Sequence, residues 1–150
     1  MITGITHLHN LLRWVALLTL VVSVVMAFNG MMRKTDYTKT ENKWSLFTLI
    51  AFHLQLVLGL ALYFAKGWYS QLGEMSNAVY RFWSLEHLVA MILAITLVTV
   101  GRIRTKKISL PAKKHRTQFV FYLIALIIVI SNVPWPFREA GIARPWFPGM

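Results

Sequence analysis

The chain has 150 residues, 57% of them hydrophobic, with a mean hydropathy of +0.56 and a net charge of +11. That apolar content exceeds the ~45–50% usual in soluble domains, and the apolar runs with their short connections consume nearly the whole length, which excludes a water-soluble lobe. The absence of cysteine excludes disulfides, thiolate metal sites, iron–sulfur clusters and covalent haem attachment, so any metal must be held by histidine or carboxylate.

The first apolar run carries no charge from Trp14 to Met32, and its 19 residues would rise ~28 Å as helix, close to the ~30 Å depth of bilayer hydrocarbon. His7, His9 and Arg13 stand at its entrance. His9 and Arg13, four apart, share a helix face. A polar connection with Arg33, Lys34, Lys39 and Lys43 leads to a second run, residues 44–65, with His53 near its middle and Gln55 just beyond. Trp68, Tyr69 and Tyr80 of the next connection, with Phe82 and Trp83, read as an interfacial aromatic belt. The third run, residues 81–101, holds Glu86 and His87 within its apolar stretch. Ionisable residues at that depth are costly and mark functional sites. A strongly basic connection containing His115 precedes the fourth run, residues 117–134, which should stop near Val133 because Pro134 and Pro136 cannot extend a helix. The tail's Trp146 and Phe147 are expected to lie back on the membrane surface.

These runs predict an all-α, polytopic membrane protein: a single domain of four transmembrane helices, spanning about 10–32, 44–65, 81–101 and 117–134, in an up-and-down bundle. Lys and Arg number four in the first connection and seven in the third, against five in the N-terminal region, second connection and tail together. The positive-inside rule therefore puts both termini outside, and explains the basic charge by orientation in the lipid bilayer rather than by nucleic acid.

Depth sorts the histidines. His9 and His87 fall in the outer half on parallel helices, His53 near mid-membrane on an antiparallel one, and His7 and His115 at the surfaces. One b-type haem in the outer half, with His9 and His87 as axial ligands and Arg13 beside a propionate, uses these residues most fully. It requires span one to start early or tilt, since otherwise the two ligands differ in depth by several ångströms. Ala90 and Ala94 would let the macrocycle approach the His87 backbone. His53 with His87 is the second pairing. Two other classes stand beside these: a cofactor-free accessory or assembly subunit working with a membrane-protein partner or as a homo-oligomer, and a quinone- or proton-handling site formed by His53, Gln55 and Glu86. Glu86 paired with Arg13, and Tyr63, Trp14 and Trp135 as interface anchors, are the purely structural readings.

Six stretches carry a resemblance: HNLLRW from His9, HLQLVLGLALYF from His53, RFWSLEH from Arg81, VGR from Val100, KKH ending at His115, and PWPF from Pro134. In order and spacing, the chain resembles small bacterial four-helix integral membrane proteins labelled cytochrome B or cytochrome b-like. Asn10 stands where the family's first motif has Ser. The resemblance implies an inner-membrane location, haem-linked electron transfer beside quinone or a larger respiratory assembly, and functional histidines at His9, His53, His87 and His115.

Overall fold

A computed structural model describes residues 1–147. Four helices are each long and apolar enough to cross a membrane: α1 (Ile2–Arg33), α2 (Lys39–Ala65), α3 (Ala78–Lys107) and α4 (Pro111–Asn132). Local chemistry sets their ends. Lys34 closes α1 in the left-handed region at φ 55°, with its N–H donating to Gly30 O. Thr38 and Glu41 form a reciprocal capping box at the start of α2, a device worth ~1 kcal/mol. Asn77 caps α3 through Val79 and Tyr80 N–H, and Pro111 occupies the first turn of α4. That helix ends at Asn132, as its prolines require.

Chain neighbours are also neighbours in space. The contacts α1–α2, α2–α3, α3–α4 and α4–α1 close a ring in which the diagonal pairs barely touch. The α3–α4 seam is close-packed at Gly101, where a Cβ would sit 2.6 Å from Phe121 Cβ. The α2–α3 seam is the thinnest. Leu20, Ala27, Ala94, Val98, Tyr122 and Ala125 are wholly buried on the axis, whereas Leu8, Leu11, Val15, Leu18, Val25 and Met32 form an exposed stripe along α1. A bare apolar stripe of that length wants an apolar solvent.

α1 and α4 start earlier than the apolar runs indicate. α1 is helical from Ile2, which puts His9 two turns inside the helix. α4 begins before the basic cluster, and His115 is wholly buried rather than interfacial. Gly30 makes that possible, since any Cβ there would overlap the His115 ring. His115 Nε2 donates to Thr35 O at 3.1 Å and its Nδ1 lies 3.4 Å from Glu41 Oε1. Around it runs a buried polar layer: Ser23 to Thr48 at 2.9 Å, Ser45 to Tyr122 at 2.7 Å, and Tyr37, which donates to Gln118 Oε1 at 2.5 Å.

Two predictions arise. Burial, followed by Tyr122 and Glu41, pushes the Tyr37 phenol up to about 12. The unfolded phenol ionises near ~10, so the folded state alone keeps this proton between the two values, and stability falls as pH rises through that window. Tyr37→Phe is expected to flatten that part of the slope, checked by melting detergent-solubilised protein between about pH 8 and 11.5. The charge asymmetry predicts orientation: with no native cysteine, Ser76→Cys should react with a membrane-impermeant maleimide in intact cells, and Ser109→Cys only after permeabilisation.

Candidate functional site

At the end of the bundle where α1 begins and α4 ends, a cavity of about 130 Å³ opens among all four helices. The α2 wall is one helical face, Phe52, Gln55, Gly59, Tyr63 and Lys66, spaced at three and four residues. The α3 wall is His87, Leu88, Met91 and Ile95. α1 contributes His9, Asn10 and Arg13.

His87 follows a π turn, Phe82–Glu86, whose extra residue per turn rotates the following positions relative to the first turn of α3. A loosened turn exposes backbone carbonyls, and Tyr63 OH of α2 donates to one of them, Ser84 O, at 3.1 Å. The His87 ring lies 5.6 Å from both the Phe82 and Trp83 rings, and its Nδ1 is 2.9 Å from Asn132 O. A carbonyl only accepts, so Nδ1 carries the proton and the neutral ring keeps its Nε2 lone pair free. This is the arrangement that orients a metal-ligating histidine. On α1, the His9 ring sits over Gly59, where a Cβ would be 3.3 Å from Cε1. Helix α2 lacks a side chain at the point where that imidazole needs room.

Six buried side-chain atoms lack a hydrogen-bond partner among the described residues, and four belong to this cavity: His9 Nδ1, Arg13 Nε and Nη1, and Gln55 Oε1. Each unpartnered group costs ~1–3 kcal/mol, more when charged. Arg13, Lys66 and Arg144 line the same space with no carboxylate among the described lining residues. Burial lowers the Arg144 guanidinium below its ordinary value. The cavity is thus an apolar cleft with unsatisfied donors and surplus positive charge.

The C-terminal segment lies against this end of the bundle and places Arg144 in the cavity wall. Arg13 Nη2 donates to Pro145 O and Trp146 O, each at 3.2 Å, and Trp14 Nε1 donates to Trp146 O at 2.7 Å. Trp146 stacks on Trp14 with centroids 5.9 Å apart, so it packs on the bundle itself. Across the cavity, Trp83 Nε1 donates to Gly141 O at 2.9 Å and Arg144 lies 4.4 Å from the Trp83 ring centroid.

Of the residues singled out by sequence, the structure brings together His9, His87, Arg13 and Gln55. It does not bring His53, which is exposed, with Nδ1 donating to Leu49 O of its own helix at 2.8 Å. His53 and Gln55 are two residues apart and so lie on nearly opposite faces, which separates both the His53–His87 pair and the His53–Gln55–Glu86 group. Glu86 is outside the cavity wall and pairs with Arg81 at 2.7 Å rather than with Arg13. Ala90 and Ala94 do not line the cavity; Met91 and Ile95 do. Tyr63, Lys66 and Arg144 are additional wall residues. The four-residue steps from Gln55 to Gly59 to Tyr63 were the signal for the first of these. No cluster of three or more His, Cys, Asp or Glu side chains able to hold a bare metal ion occurs among the described residues. Comparison with protein-family models, curated proteins and solved structures finds no match for this chain.

Gly59→Leu would put its Cβ 3.3 Å from His9 Cε1, so the ring must shift and the space beside it narrows. The expected outcome is a lowered melting temperature, with carbethoxylation of His9 reduced several-fold when measured by mass spectrometry.

Proposed function

We propose that this chain is a membrane electron-transfer protein or respiratory-complex subunit that holds one b-type haem between α1 and α3, with His9 and His87 as the axial pair. The observation that carries this reading is that two imidazoles from diagonal helices line one apolar cavity in which four buried polar atoms are left unpaired. The early start of α1 supplies the extra helical length that the pairing required of span one. Bound there, haem supplies a one-electron couple whose potential depends on its axial ligands and surroundings.

The chain's own residues have distinct tasks. The backbone carbonyl of Asn132 accepts from Nδ1 of His87, which leaves Nε2 as the atom available to a ligand. Phe82 and Trp83 limit the rotation of that ring. Arg13, Lys66 and Arg144 are placed to neutralise carboxylates such as propionates. The C-terminal segment, bonded to Arg13 and Trp14, ties this end of α1 down and carries Arg144 into the cavity wall.

Volume favours a second reading. About 130 Å³ is the scale of a cavity that admits a single aromatic ring, so a macrocycle requires the thin α2–α3 seam to part, whereas a quinone head group does not. In that reading His87 Nε2 and the Arg13 donors hold the quinone oxygens.

A dithionite-reduced minus oxidised optical spectrum of purified protein, with iron quantified on the same sample, separates the two. Haem predicts a sharp α-band and about one iron per chain, lost in His9→Ala and in His87→Ala but retained in His53→Ala. A featureless spectrum, no iron, and quinone in the lipid extract that disappears in His87→Ala would replace haem with quinone.

A further inference from the structure

At the opposite end of the bundle, a second cavity of about 270 Å³ lies between the start of α2, the last turns of α3 and the first turn of α4. Lys39, Arg102, Lys106 and Lys114 line it, and no carboxylate among the described residues does. Three of these are lysines of the kind that topology alone would place at this end. Arg102 is different: it is 7% exposed.

One Arg102 N–H donates to Asn42 O at 3.0 Å, its other donors have no acceptor among the described residues, and neither ion pair there includes it. Burying a guanidinium without a counter-charge is strongly unfavourable unless something else supplies the charge. Beside it, the Thr105 side chain is 2% exposed and its hydroxyl is unpartnered. The nearest acid on α2, Glu41, is engaged elsewhere, accepting from Thr38 N and Oγ1 and facing His115. The ring of Tyr37 lies 5.3 Å below Lys114 Nζ and holds that ammonium at the cavity mouth. The N-terminus of α2 adds its partial positive charge. The space far exceeds the ~10–15 Å³ needed for one water.

We infer that this cavity binds a phosphate oxyanion, with Arg102 at its base, Thr105 as a hydroxyl donor, and Lys39, Lys106 and Lys114 at its rim. Several converging donors of one sign, one of them a buried planar guanidinium, match a compact anion with several acceptor oxygens. Its level, at the last turns of a helix of membrane-spanning length, is where the phosphates of a bilayer leaflet lie. A soluble phosphate offers the same chemistry.

The test uses the full chain, delipidated in detergent, with native mass spectrometry and thermal melting as readouts. The probes are dioleoylphosphatidylglycerol, dioleoylglycerol, which has the same chains without phosphate, and inorganic phosphate. Saturable binding of one phosphatidylglycerol per chain, with no effect of inorganic phosphate at the same concentration, assigns the site to a lipid headgroup. Saturable stabilisation by inorganic phosphate assigns it to a soluble source. In either case Arg102→Gln is expected to weaken binding at least tenfold, Thr105→Val several-fold, and combined Lys39→Gln, Lys106→Gln and Lys114→Gln to weaken it and flatten its salt dependence. The inference is overturned if neither phosphate-bearing probe binds saturably, or if dioleoylglycerol binds as well as phosphatidylglycerol. If Arg102→Gln does not fold, unchanged affinity in both Thr105→Val and the lysine triple variant overturns it as well.

Discussion

Polar side chains in this bundle turn inward because the outward faces are apolar, and almost every specific feature of the fold derives from that inversion. α1 alternates an exposed stripe of leucine, valine and methionine with a buried one holding Asn10, Arg13, Thr19 and Ser23. The ring of helices is therefore held less by an oil-like centre than by small residues that allow close approach and by hydrogen bonds between helices. Where those bonds are complete, as from Ser23 to Thr48 and from Ser45 to Tyr122, the helices are locked together. Where they are incomplete, the bundle opens into cavities.

The two cavities differ in kind as well as in place. One is an apolar cleft with imidazoles on its walls; the other is a cationic recess with a buried arginine. The buried polar layer built on Tyr122, Gln118 and His115 belongs to the cationic end, where Tyr37 and Ser45 of the same layer form part of the second cavity's wall.

The four helices and the stop at Asn132 were legible, because uninterrupted apolar length and proline are strong local signals. That His9 and His87 would stand at the same end of the bundle was legible, because each lies near the start of a helix and α1 and α3 run parallel. The π turn before His87 was not legible, since it costs one residue of register and leaves no mark in composition. The fate of His115 was hidden by its basic neighbours, which read as loop, while the decisive residue was Gly30 on another helix. The position of His53 outside the cavity was legible too: helical geometry already places it off the face shared by Gln55, Gly59 and Tyr63. The return of the tail over the bundle depends on backbone carbonyls of Pro145 and Trp146, and carbonyls have no sequence signature.

That tail joins α1 to α3, the diagonal helices that otherwise barely meet. Residues 141–146 follow all four helices in the chain, so they are made after them. The helices can therefore pair before this strap is in place, and the strap then fixes the spacing of α1 and α3 across the histidine cavity.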